Sequence, residues 1–109
     1  MTKAIVVRYT TRPDTADDNE QLIRAVFAQL AQEAPDGLRY VAVRLDDGVG
    51  FVHIALLDGD NNPLLTLPAF EAFTSSIAAR CMDGPAAAHG TVIGDYHTGA
   101  RGPSLPAGA

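Results

Sequence analysis

His53 stands in the middle of an apolar run from Phe51 to Leu57, where an imidazole that titrates near working pH can serve as a general base or orient a phenol or enol. The plainer role for it is a hydrogen-bonded histidine of the core or of a subunit seam, because buried polar groups are normally paired. Tyr40 and Arg44 fall on the same expected strand face as His53, as does Phe51, and the polar pair would hold a carboxylate or phenolate through charge-assisted hydrogen bonds. Arg44 also lies near the end of its hairpin, where a solvated or intersubunit ion pair competes with that role. Phe70 and Phe73, three apart on an expected helix, supply aromatic walls for such a pocket.

Other groups carry less chemistry. Arg8 and Tyr9 are strand neighbours that must point to opposite faces, so only one of them can enter a pocket. His89, Asp95 and His97 share strand parity, yet the two histidines lie roughly 26 Å apart in an extended strand and cannot share an ion. Asp58, Asp60 and Asn62 imitate the start of a calcium loop, which then fails at Pro63 and Ala69, so an Asx-rich turn explains them better. Cys81 reads as a buried, inert thiol on a helix stripe. No Ser-His-Asp spacing, phosphate-cradling loop or dinucleotide fingerprint is present, and neither a metal nor an organic cofactor is expected.

The elements that must position these groups follow from the hydrophobic period, which runs two, 3.6, two twice, 3.6 and two again. Residues 3–10 read as a strand ending before Pro13. Asp17, three residues before Glu20, marks a helix whose stripe is Leu22, Ile23, Val26, Phe27, Leu30 and Ala31 and which stops at Pro35-Asp36-Gly37. Residues 37–57 form a hairpin. A two-residue turn at Asp47-Gly48 sets Arg44 opposite Phe51 and Ala42 opposite His53.

That register separates an aliphatic face (Val41, Val43, Leu45, Val52, Ile54, Leu56) from a mixed one (Tyr40, Ala42, Arg44, Phe51, His53, Ala55), and leaves open which of them meets the helices. A second helix is expected over 67–82 with Phe70, Phe73, Ile77 and Cys81 on its stripe, and a last strand over 88–97, interrupted by Gly90 and Gly94. The order is β-α-β-β-α-β: one ferredoxin-like α+β domain over 1–97 with a four-stranded antiparallel sheet, and a flexible tail over 98–109.

Composition narrows the partners. A 109-residue chain with net charge −5 and scattered basic residues does not present a nucleic-acid surface. No stretch reaches membrane-spanning length, the strand pattern starts directly after Met1, and one cysteine fits a reducing compartment; the expectation is a cytoplasmic protein with no membrane partner. So small a chain gains from burying one sheet face against a second copy, which points to a homodimer.

The strand-helix-hairpin-helix-strand order, the length and the ending Gly94-Asp95-Tyr96 resemble the dimeric α/β-barrel superfamily, and within it the small antibiotic-biosynthesis-monooxygenase-like proteins. The resemblance covers about residues 3–97. It implies sheet-to-sheet homodimers and a small aromatic or hydrophobic ligand between sheet and helices, with cofactor-independent oxygenation of aromatic or enolic substrates as one activity. A non-catalytic dimeric binding module of the same fold is the alternative. The Asn and Trp of such oxygenases cannot be transferred, because this chain has no Trp, and the second helix lacks the His that haem-degrading members use.

Overall fold

Backbone pairing in the computed structural model, which describes residues 2–96, places the β-branched N-terminal run at the centre of a sheet rather than at its rim. The elements are β1 (Lys3–Thr11), α1 (Ala16–Glu33), β2 (Leu38–Arg44), β3 (Gly50–Leu57), α2 (Pro68–Ser75), α3 (Ile77–Arg80) and β4 (Cys81–Thr91). The four strands lie in the order β2-β3-β1-β4, every neighbouring pair antiparallel. This is the ferredoxin-like α+β arrangement. The tail over 98–109, and His97 with it, falls outside the described residues.

The helices pack on the mixed face. Tyr9, Phe51, His53 and Ala55 are buried beneath them, whereas Val41 keeps 48 % of its surface, and Val43 and Leu45 are likewise exposed on the opposite side. Ile23 and Val26 of α1 are buried there, with Leu22, Phe27 and Leu30 packed around them. Ala31, expected on the same stripe, is exposed and borders an open groove with Leu38 and Tyr40 of β2.

The hairpin register is the one read from the sequence: Arg44 opposes Phe51 and Ala42 opposes His53. The turn that delivers it is different. Leu45 N–H donates to the Gly50 carbonyl at 2.8 Å, Gly48 N–H donates to the Leu45 carbonyl at 2.9 Å, and the chain turns over residues 46–49. Asp47 Oδ1 holds the loop by accepting from Val49 N–H at 3.0 Å and Gly50 N–H at 2.8 Å. Lengthening a two-residue loop to four adds one residue to each side, so strand parity is preserved.

Local signals mislead at the start of α1. Asp17 does not cap α1; Thr15 occupies that position without a side-chain cap, and Asp17 pairs with Arg44 instead. At the other end the expected stop at Pro35 holds: α1 ends at Glu33, and Ala34 caps it in the left-handed conformation (φ 46°), donating its N–H to the Leu30 carbonyl.

The expected single helix over 67–82 is two short helices, interrupted at Ser76, and β4 begins at Cys81 rather than near residue 88. Cys81 therefore opens a strand, opposite Thr11, instead of completing a helix stripe. Three consecutive alanines, Ala86 to Ala88, favour helix locally, but pairing with β1 overrides that preference. Pro85 is tolerated in β4 because the strand lies at the sheet edge, where its register against β1 also shifts.

Candidate small-molecule site

A cavity of about 330 Å³ lies between the sheet and the α2–α3 segment. Val7 on β1, Tyr40 on β2 and His53 on β3 form its floor, and Leu64, Phe70 and Phe73 form much of its wall. Period-two alternation brings the three floor residues to one face. Phe70 and Phe73 reach the same space because they are three apart on α2, their rings 6.1 Å apart. The lining is almost wholly apolar; its polar residues are Tyr40, His53, Asn62 and Thr74, of which Asn62 accepts from Leu64 N–H and the Thr74 hydroxyl donates to the Phe70 carbonyl. A cavity of this size and character suits one small aromatic molecule.

His53 is only 4 % exposed and both of its ring nitrogens are occupied. The Tyr9 hydroxyl lies 2.7 Å from Nε2 and the Tyr40 hydroxyl 2.6 Å from Nδ1. The imidazole also stacks on Phe73 at 5.2 Å. Burial drives the His53 pKa down to about 4, so the ring is neutral at physiological pH. Burial also raises Tyr9 to about 12, against the opposing effect of a hydrogen bond from Asn19, and pushes Tyr40 upward. All three rings are therefore uncharged hydrogen-bonding groups.

The network continues away from the cavity. Asn19 Nδ2 donates to the Tyr9 hydroxyl at 2.9 Å, and Arg80 Nε donates to Asn19 Oδ1 at 2.9 Å. Arg80, 6 % exposed, also donates to the Phe73 carbonyl and to Ser76 Oγ, each at 2.7 Å. Among the described residues no buried side-chain nitrogen or oxygen lacks a partner.

Asn19 and Arg80 escaped the sequence reading although both interrupt an apolar stripe. Asn19 precedes Ile23 and Val26 at helical spacing, and Arg80 follows Phe73 and Ile77 in the same way. A polar residue on an apolar stripe was the available signal.

Four of the six candidate residues, Tyr40, His53, Phe70 and Phe73, line this cavity together. Arg44 and Phe51 do not reach it; they border a separate groove beside α1 with Glu20 and Phe27. Strand parity did put Arg44 on the helix face, but two strand positions beyond Ala42 it meets α1 rather than α2. There it donates to Glu20 at 2.8 Å and Asp17 at 3.1 Å, with its guanidinium 5.6 Å from the Phe51 ring. Phe51 is buried against Tyr9, the two rings stacked at 5.4 Å. The Asx-rich loop is structural: Asp60 ties it to β1 through Lys3 at 2.6 Å, and Asn62 accepts from Leu64 N–H at 3.1 Å. Asp95 pairs with Arg39 at 2.8 Å.

No protein-family model matches the sequence, and no curated protein matches it either. Solved structures do match. Rv0793 from Mycobacterium tuberculosis superposes with a TM-score of 0.71 at 18% identity, covering 89% of this chain and all of that one. SnoaB from Streptomyces nogalater, a cofactor-independent oxygenase solved as a point mutant, gives 0.64 at 18% identity over 86% of this chain and 95% of its own. A structure described as an antibiotic biosynthesis monooxygenase gives 0.63 at 16% identity, over 86% of this chain and 100% of its own. Identities this low establish a shared fold.

Proposed function

We propose that this chain, which has the fold of the antibiotic-biosynthesis-monooxygenase-like proteins, binds a small aromatic or enolic compound in the cavity above His53 and oxygenates it without a resident cofactor. The observation that carries the reading is an apolar cavity of about 330 Å³ lined by the hydrogen-bonded pair Tyr40 and His53. Phe70 and Phe73 stack against the substrate ring, and Tyr40 contacts its oxygen. His53 is the group that positions and polarises Tyr40. An enol or enolate oxygen held there is stabilised as charge develops on it.

For an anthrone-like substrate the ring methylene loses a proton to water at the cavity mouth, leaving an enolate. The enolate reduces dioxygen and forms a carbon–oxygen bond, and the resulting peroxide takes up the proton. Loss of the second methylene hydrogen with cleavage of the O–O bond releases water and leaves a carbonyl. The methylene is oxidised, one oxygen atom is retained and the other departs as water. The oxidant is dioxygen.

The exposed aliphatic face of Val41, Val43 and Leu45 fits burial against a second copy, and the proposed assembly is a homodimer. Among the described residues no helix is long and apolar enough to cross a membrane. Oxygen uptake with a panel of anthrone-like phenols and quinols tests the activity. The expected result is uptake that falls by about 100-fold in Tyr40→Phe. Binding without uptake would leave the non-catalytic module of the same fold; absence of binding across the panel would defeat both.

A further inference from the structure

The five polar residues running from Arg80 to the cavity form a chain whose direction is determined at its far end. Arg80 has only donors, so the Asn19 oxygen must face it and the Asn19 NH₂ must face Tyr9. The Tyr9 oxygen therefore accepts from Asn19, and its own hydrogen has one acceptor within reach, His53 Nε2 at 2.7 Å. A neutral imidazole that accepts at Nε2 carries its proton at Nδ1 and donates it to the Tyr40 oxygen at 2.6 Å. The Tyr40 hydrogen is then free to turn into the cavity that Tyr40 lines. The opposite direction would leave the Tyr9 hydrogen buried without an acceptor, which folded proteins avoid.

Building on the ligand site proposed above, we infer that Tyr40 is the donor end of a one-way hydrogen-bond chain set by Arg80 and Asn19, and that the cavity selects a ligand presenting an acceptor oxygen, a carbonyl or an enolate. A ligand with only donor hydrogens at that point, such as an ammonium group, meets another hydrogen. Asn19 and Arg80 touch no ligand. They are positioning residues for specificity, and Asn19 acts across two intervening side chains.

Asn19→Asp provides the test, because a carboxylate of the same shape still accepts from Arg80 but can only accept from Tyr9. Tyr9 must then donate to residue 19, His53 must hold its proton at Nε2, and Tyr40 must donate to Nδ1 and show the cavity a lone pair. Nitrogen-15 NMR of the histidine ring in the full chain reads the tautomer directly. The expected result is Nδ1–H in the wild type and Nε2–H in Asn19→Asp. An Nε2–H wild type, or a tautomer unchanged by the substitution, overturns the inference.

Titration with 1-tetralone, tetralin and 1-aminotetralin gives a second readout that needs only wild type and Tyr40→Phe. Wild type should prefer the ketone over the hydrocarbon by about tenfold, and the preference should vanish in Tyr40→Phe. Equal affinities in wild type, a preference for the amine, or a ketone preference that survives Tyr40→Phe overturns it. Neither measurement uses oxygen. A protein with the expected tautomer and ketone preference but no oxygen uptake would retain the chain and lose the proposed activity.

Discussion

Acidification should weaken this protein through His53 in particular. The imidazole is buried between Tyr9 and Tyr40, and its pKa falls from 6.5 to about 4. Between those values the unfolded chain binds a proton that the native state refuses, so stability rises with pH across this window. The contribution is complete above about pH 6.5 and is lost as pH falls toward 4. From pH 7 to pH 4.5 the loss attributable to this one group is about 2 kcal/mol. The groups facing the ring do not share the window: Tyr9 and Tyr40 are pushed upward and stay neutral, and Arg80, reached through Asn19, stays charged.

Urea denaturation of wild type and His53→Gln at both pH values, at one fixed protein concentration, isolates the effect because carboxylate contributions cancel between the two proteins. The substituted amide keeps a donor and an acceptor for the tyrosines but cannot titrate. The wild type should lose about 2 kcal/mol more than the variant on acidification. Parallel losses would refute the claim that His53 is neutral by burial.

Three further outcomes follow from packing. Phe51→Ala removes a ring that is 2 % exposed and stacked on Tyr9, and should cost about 3–5 kcal/mol in chemical denaturation; a cost below about 1 kcal/mol would mean the core is not centred there. Gly84→Ala places a methyl carbon 2.9 Å from the Arg8 carbonyl oxygen and 3.1 Å from Tyr9 Cβ at a φ of +86°, so it should lower stability by about 1–3 kcal/mol, and an unchanged urea midpoint would contradict that strain. Val43→Glu charges the open aliphatic face without touching the core. It should convert a dimer to a monomer in sedimentation velocity while the far-UV spectrum is retained, and a dimer of undiminished affinity would exclude this face as the contact.

Elements with a strong period were legible from residues alone. The stripe of Ile23, Val26 and Leu30 on α1 and the alternation from Phe51 to Leu57 survive into the fold, and with them the pairing of Ala42 with His53. Where local signals were weak or contradictory, tertiary pairing prevailed. The segment from Cys81 to Ala88 carries helix-favouring alanines, a proline and glycine, yet becomes a strand because β1 offers an unpaired edge. The turn at residues 46–49 differs from the expected type, while the parity it shares with a two-residue turn kept the register intact.

Tyr40, His53, Phe70 and Phe73 could be nominated from their strand faces and helical spacing, but the rest of the site could not. Arg44 passed the same parity filter as Tyr40 and meets α1 carboxylates instead of the cavity. Asn19 and Arg80 are 61 positions apart, and no local pattern relates them.

The sequence by itself determined the order of elements, the pairing of the hairpin and its division into an aliphatic and a mixed face, because these depend on periodicity within short segments. Tertiary structure decided which face the helices cover. The helices cover the mixed face, where Ile23, Val26 and Phe73 pack with Tyr9, Phe51 and Ala55 in one core, and Asn19, held by Arg80, partners the Tyr9 hydroxyl that this packing buries. The aliphatic face stays open, with Val41, Val43 and Leu45 exposed; these packing choices join residues far apart in the chain, which periodicity within one segment does not relate.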